Sequence, residues 1–314
     1  MKRVKIVVDA DIFRELSEFL RVRPVLDDYC LFGGDWRAFH EHDLEGCAYF
    51  HLVLAGNCFL ERRNCDPIAL SKGDIVLLPH GSEHSLGSGT DTSNSTVITD
   101  VRQDIRIKTI EGSDVTTKLV CGRLFYSTGA SDFLVRLLPE VVISKTIALD
   151  TECRHEWIVS NIATEIQEGR PGWSIVAANF ASALFTMVLR DHFERHPVAE
   201  GVFSLLANNQ TRKAVIAMLH NPAHPWSLDE LAAASVTSRA SLVRAFSRAG
   251  NIAPFGFLMR LRLGIARQKL SSGSTSLGQI AEDVGYQSEA AFSRAFFREF
   301  GVRPGQWREF SSKA

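Results

Sequence analysis

Arg244 and Arg294 occupy matched places in the last third of the chain, each six residues after a serine able to cap a helix, Ser238 and Ser288. A guanidinium is planar and carries paired donors, so an arginine held outward on a helix can grip the O6/N7 edge of guanine. Leu242 with Phe246, and Phe292 with Phe296, sit four apart and mark the inward stripe of each helix. That places both arginines about 200° away, on the outside. A second chemical set lies upstream. His40 and His42 are two apart, which on a strand puts both imidazoles on one face. With His84 they would make a three-histidine metal site with an open position for a ligand. Hydrogen-bonded pocket histidines without a metal are the competing reading.

The arginines need helices to aim them, and the sequence around them is duplicated. Ser227-Leu-Asp-Glu-Leu-Ala leads into Ser238, and Ser276-Leu-Gly-Gln-Ile-Ala leads into Ser288. Each copy reads as helix, tight turn, helix, the pattern of a helix-turn-helix. Ser227 with Glu230 and Ser276 with Gln279 are spaced as capping boxes, and Ser238 and Ser288 as N-caps of the second helices. Between the copies, Phe255–Leu270 predicts one helix of about 24 Å, started by Pro254 and ended at Ser271-Ser-Gly273. Such a spacer would hold two reading heads roughly one DNA turn apart, about 34 Å. Arg260, Arg262, Arg267 and Lys269 are its polar remainder, open to solvent or phosphate.

A chain of 314 residues suits two domains with separate cores. Net charge is near zero but unevenly spread. Residues 205–314 carry 14 Lys and Arg against 7 Asp and Glu, net +7, which leaves 21 against 29, net −8, for the remainder. A basic rear behind an acidic front fits a polyanion-binding module joined to something else. Asp9 interrupts the short apolar run at the start, so no export signal is read, and Ile175–Leu189 looks too short and alanine-rich to span a bilayer. A cytoplasmic chain is expected. The six cysteines, Cys30, Cys47, Cys58, Cys65, Cys121 and Cys153, contain no CxxC pair, and reduced thiols are expected.

Ile12–Leu20 reads as an amphipathic helix. From Cys30 to Phe125, short apolar runs such as Tyr49–Leu54, Ile75–Leu78 and Thr96–Val101 predict a sandwich or barrel, with Gly87–Ser95 a surface loop. Helical periodicity begins near Asp132 and gives helices at Glu156–Glu168 and Ser174–Arg195, with Ser174 as N-cap, split by Gly169-Arg-Pro-Gly172. The second is apolar nearly all round, which requires cover either from a second copy in a homodimer or from packing between the two domains of one chain. Residues 197–209 would link it to the duplicated region.

Residues Gln210–Phe310 resemble the AraC/XylS family of bacterial transcription regulators. The resemblance rests on Trp226-Ser-Leu-Asp-Glu-Leu-Ala, on Ser238-Arg-x-x-Leu-x-Arg-x-Phe, on Ile280-Ala-Glu-Asp-Val-Gly-Tyr-Gln-Ser-Glu-Ala-Ala-Phe-Ser-Arg-Ala-Phe and on the closing Phe300-Gly-Val-Arg-Pro-Gly-Gln-Trp-Arg308. It implies that Arg239, Ala240, Val243 and Arg244, then Glu289, Ala290, Ser293 and Arg294, approach base edges. Val236 departs from the pattern: the family often has Gly or Asn there, and a β-branched residue dislikes positive φ, so a differently shaped first turn is expected. Gly73-Asp-Ile-Val-Leu-Leu-Pro79-His-Gly81-Ser-Glu-His84 resembles the second motif of cupin barrels. Tyr49-Phe-His51-Leu-Val-Leu-Ala-Gly56 resembles the partner strand of cupin-type sensor domains in one AraC subgroup, which makes His51, His84 and Tyr49 candidate ligand-binding residues. The metal trio would be His40, His42 and His84, although the cupin carboxylate is misplaced.

The expected architecture is α+β in two domains: a cupin-like barrel at 1–130 with a helical extension at 131–204, and an all-α double helix-turn-helix at 205–314, its units at 228–248 and 277–299. The resemblance implies a regulator that binds double-stranded promoter DNA, answers a small-molecule effector and works with RNA polymerase. The alternative is a metal-dependent cupin enzyme with an accessory DNA-binding tail. Equal affinity for scrambled DNA would instead mark a non-specific architectural protein.

Overall fold

The computed structural model describes residues 18–312 apart from 20, 43–46, 90–96, 103, 127–128, 136, 146–154, 196–201 and 274. The expected helix Ile12–Leu20, most of the Gly87–Ser95 loop and Cys153 therefore lie largely or wholly outside the described residues. Two compact units emerge, and their limits are not the expected 130 and 204. One comprises Val22–Tyr126 with Leu138–His192; the other comprises Phe193 onward with Ser127–Leu137 and the chain up to Arg21.

In the first unit, short β-branched and aromatic runs build two sheets. The strands are β1 (Val22–Phe32), β2 (Arg37–His40), β3 (Cys47–Ala55), β4 (Asn57–Glu61), β5 (Ile68–Ser71), β6 (Ile75–Leu78), β7 (His84–Gly87), β8 (Val97–Arg102), β9 (Ile105–Ile110), β10 (Thr117–Tyr126) and β11 (Val142–Ser144). Among the described residues one sheet runs β11-β6-β3-β10-β1-β9-β8 and the other β2-β7-β4-β5. Every strand pair is antiparallel except β1 with β9. Phe32, Val53, Leu60, Leu70, Leu78 and Leu86 fill the core between the sheets. β11 falls inside the segment expected to be helical; Val142 and Ile143 complete the sheet edge beside β6.

Two helices follow, α2 (Glu156–Glu168) and α3 (Trp173–Arg195), once α1 (Gly129–Val135) is counted in the other unit. Gly169 and Gly172 take φ of 60° and 83°, which only glycine adopts without strain, and this splits the helices as expected. Ser174 is not the cap: the carbonyl of Gly172 accepts from Ile175 and Val176 N–H, so α3 starts a residue earlier. At 23 residues α3 is long and apolar enough to cross a membrane by length and composition, more than the expected Ile175–Leu189 stretch. Its all-round apolarity is explained mostly within the unit. Ala181, Leu184, Phe185 and Val188 pack on Phe50, Leu52, Leu77 and Leu124 of the larger sheet, leaving only about 20 Å³ between them. Trp157, Ile175 and Val176 stay exposed.

The second unit is helical: α4 (Val202–Ala207), α5 (Arg212–His220), α6 (Leu228–Ala234), α7 (Arg239–Gly250), α8 (Pro254–Ser272), α9 (Leu277–Asp283), α10 (Glu289–Phe300) and α11 (Pro304–Ser312). α4 occupies part of the expected linker, with Leu205 and Leu206 buried. α1 belongs here because Phe133 packs edge-on against Phe257 of α8, ring centroids 5.9 Å apart, and Asp132 pairs with Arg267 at 3.2 Å. Gly264 permits that approach, since a Cβ there would stand 2.9 Å from the Phe133 ring.

Candidate nucleic-acid interface and histidine pocket

Each helix-turn-helix unit is assembled by its caps. Ser227 accepts from Glu230 N–H while Glu230 reaches back to Ser227 N–H, a complete capping box. Ser238 and Ser288 cap α7 and α10 by accepting from Ser241 and Ala291 N–H. The second box is only half formed. Ser276 accepts from Gln279 N–H at 3.2 Å, but the Gln279 amide donates to Asp283 at 2.9 Å, where a carboxylate is the stronger acceptor.

The turn at Val236 is not differently shaped. Val236 N–H donates to Ala233 and Thr237 N–H to Ala232; in the second unit Gly285 N–H donates to Glu282 and Tyr286 N–H to Ala281. Both turns pass through positive φ, 52° at Val236 and 87° at Gly285. Closing the inner helix pair imposes the geometry, and the valine accepts strain of about 1–2 kcal/mol. Its side chain is 83% exposed.

Arg239, Ala240, Val243 and Arg244 are exposed on α7; Glu289, Ala290 and Arg294 are exposed on α10, with Ser293 half-buried. Leu242, Phe246, Phe292 and Phe296 are fully buried behind them. Arg239 is drawn into an ion pair with Asp229, and Arg244 donates to Ser241 Oγ at 3.1 Å. Arg294 has no hydrogen-bond or ion-pair partner among the described residues. The spacer α8 has 19 residues, about 28 Å. Two of its four cations, Arg262 and Arg267, are drawn into the unit rather than left to solvent or phosphate, whereas Arg260 and Lys269 are ion-paired yet still open to solvent, as the sequence suggested. Arg260 pairs with Glu299, Arg267 with Asp132 and Lys269 with Asp283. Arg262 donates to the carbonyls of Pro222 at 2.7 Å and His224 at 2.8 Å, pinning the loop before α6.

In the sheet unit, strand register brings together side chains distant in sequence. His40 on β2 faces His84 on β7, and His51 on β3 faces Cys121 on β10. The His40 and His84 rings stack at 4.7 Å, the His40 and His51 centroids lie 4.9 Å apart, and Tyr49 stands edge-on to His84 at 5.2 Å. His42 does not join them: β2 ends at His40, and His42 lies beyond it, exposed. The expected trio His40, His42 and His84 is thus not assembled. Tyr49 and His51 are the i, i+2 pair on one strand face.

Carbonyl oxygens only accept, so His84 Nδ1, 2.8 Å from Ser82 O, carries the proton. Its Nε2 is then a bare lone pair, and His51 Nε2–H donates into it at 2.7 Å. That leaves His51 Nδ1 without a partner, as is His40 Nε2, both buried. Unpaired buried nitrogens cost about 1–3 kcal/mol each. Burial holds all three imidazoles neutral: His40 is lowered to about 3, with His84 nearby adding to the effect; His84 is lowered to about 4, its bond to Ser82 opposing; His51 lies well below the ordinary range. Cys121 is also buried, hydrogen-bonded to Cys30, and its thiol is pushed well above the usual range. A cleft of about 520 Å³, bordered by Arg37, Arg62, Arg63 and Glu83, reaches His84 from the surface. Cys121 went unnoticed in the sequence because only the β3–β10 register brings it beside His51.

Comparison with known proteins agrees with both halves. A Cupin family model matches residues 11–194 and a Helix-turn-helix domain model matches residues 231–309. The chain is 30% identical to the RCS-specific HTH-type transcriptional activator RclR of Escherichia coli strain K12, over 90% of this chain and 92% of that one. It is 30% identical to a putative AraC-like transcription regulator of Streptomyces antibioticus, covering 95% and 98%. It is 29% identical to the HTH-type transcriptional regulator MtrA of Neisseria gonorrhoeae, again covering 95% and 98%.

Proposed function

This chain belongs to the AraC-like family of transcription regulators, and from that premise we propose that α7 and α10 enter two successive major grooves of promoter DNA while the histidine pocket receives a small-molecule effector. Arg244 and Arg294 read guanine; Ala240 and Val243 meet thymine methyls; Arg239, Glu289, Ala290 and Ser293 complete the two reading surfaces. The observation that carries this reading is the matched exposure of Arg244 and Arg294, each on a serine-capped helix backed by buried aromatic and leucine side chains. The effector enters by the cleft at His84, with His51, His84 and Tyr49 as its contacts. It must bind one of two states better than the other to change DNA affinity. Activation, acting with RNA polymerase in the cytoplasm, is the outcome we favour, since the Escherichia coli relative is named an activator.

Arg294→Ala should cost about 1–3 kcal/mol on the cognate site and much less on random DNA. Equal losses on both, measured by fluorescence anisotropy, would demote Arg294 to a phosphate contact. The exposed Trp157, Ile175 and Val176 support a homodimer through this helical layer. Sedimentation of the parent chain against Ile175→Glu tests it, and a monomeric parent sinks it.

A further inference from the structure

We propose that His40, His51 and Cys121 form a site for a thiophilic transition-metal cation, zinc(II) or copper(I), inside the barrel pocket. One donor atom from each residue lies within 4.8 Å of the other two. The donors come from three different strands, β2, β3 and β10, so the two-sheet framework holds the cluster rather than a flexible loop. This set is not the sequence-expected one, because His42 is exposed beyond β2 and a thiol takes the third place.

The hydrogen bonding prepares the nitrogens. Ser82 O fixes the His84 tautomer, His84 engages His51 Nε2–H, and the His51 lone pair is thereby left on Nδ1, unpartnered. Metal-bound histidines characteristically donate their other N–H to such an acceptor, so His84 is a positioning residue here. His40 Nε2 is the second buried nitrogen without a partner. Cys121 supplies the soft donor, and the Cys30 thiol beside it remains available to donate to the thiolate. One imidazole pair plus one thiolate selects zinc or copper(I) over magnesium or calcium. Tetrahedral bonds of about 2.0–2.3 Å need donor atoms about 3.3–3.6 Å apart, so the present separations, which reach no further than 4.8 Å, would close by at most about 1.5 Å. Binding releases one proton, from the Cys121 thiol, since both imidazoles are neutral. Three protein ligands leave one position open, which is where an effector donor atom would bind; that last step rests on the pocket being the sensory site.

The test uses the full-length chain stripped with chelator. It is incubated with zinc(II), with cobalt(II) as the zinc probe, or anaerobically with copper(I), then desalted and analysed for metal. One retained equivalent of zinc or of copper(I) is expected, and the better-retained ion identifies the class. Cobalt should give tetrahedral d–d absorption with a thiolate charge-transfer band that Cys121→Ser abolishes. His40→Gln, at the half-buried rim, should weaken retention at least about tenfold, and it carries the test if Cys121→Ser fails to fold. Retention of neither ion, or retention unchanged by both variants, overturns the site. A chain that binds metal yet ignores every effector keeps the site and rejects the sensory reading, whereas an effector response without metal rejects the site alone.

Discussion

Val236 shows most plainly how a single side chain can oppose its backbone. The turn between α6 and α7 needs positive φ, glycine supplies it at the equivalent Gly285, and a β-branched residue supplies it under strain. Because the side chain is exposed, replacing it removes strain and little packing. Val236→Gly should therefore stabilise the helical unit by about 1 kcal/mol, seen as a higher denaturant midpoint at unchanged slope. An unchanged or lower midpoint would mean the turn relaxes in solution. Glu230 offers a pH test. Its bonds from Ser227 N–H and hydroxyl, with His224 also facing it, lower its pKa from 4.5 to about 2. A depressed carboxylate contributes stability above its unfolded pKa and loses it as pH falls through the folded value. The box should thus weaken between pH 4.5 and about 2, and Glu230→Gln should flatten that part of the profile. The arginines and capping serines were legible because local spacing determines which helix face they occupy. The histidine cluster was legible only in part: His40, His51 and His84 were singled out, but His42 was grouped wrongly and Cys121 was missed, since cross-strand register is a long-range property.

The helices that matter were readable nearly to the residue, and the reason is punctuation. Serine caps, Pro254 at the first turn of α8 and glycines in the left-handed region are local signals, and α2, α7, α8 and α10 lie close to where they point. Ser288→Ala should cost about 1 kcal/mol of stability, as should Ser238→Ala; a loss near zero for both would mean backbone and water satisfy those helix ends equally well. What the pattern could not reveal is how helices are locked to one another. Arg262 looked like a solvated spacer residue, yet it holds the carbonyls of Pro222 and His224, and its Nη2 lies 2.8 Å from where a Cβ on Gly285 would be. One guanidinium thus touches the loop before the first unit and the turn of the second. Arg262→Ala should lower affinity most for DNA whose half-site spacing matches the rigid spacer, so that inserting or deleting a base pair costs the variant less than the parent. Uniform loss at every spacing would make Arg262 only a stability residue.

The limits of the two units follow contact, not chain order, and for that reason boundaries guessed at 130 and 204 did not match them. Apolar periodicity distinguishes a strand from a helix but does not tell which partner an element covers. α3, apolar nearly all round, covers the larger sheet. α1, which follows β10 closely in sequence, covers the spacer between the reading heads: Phe133 against Phe257 and Gly264, Asp132 against Arg267. A DNA-binding fragment cut where the sequence seems to divide therefore lacks a piece of its own core. A fragment from Phe193 should still bind the cognate site and ignore any effector, because both reading helices remain. It should also melt below the same unit in the full chain, since removing α1 uncovers Phe257 and takes away the Asp132 carboxylate that pairs with Arg267. Differential scanning calorimetry of fragment and full chain decides it: equal melting would show that α1 is a passenger on the spacer, and loss of all DNA binding would show that the cover is required for the fold itself.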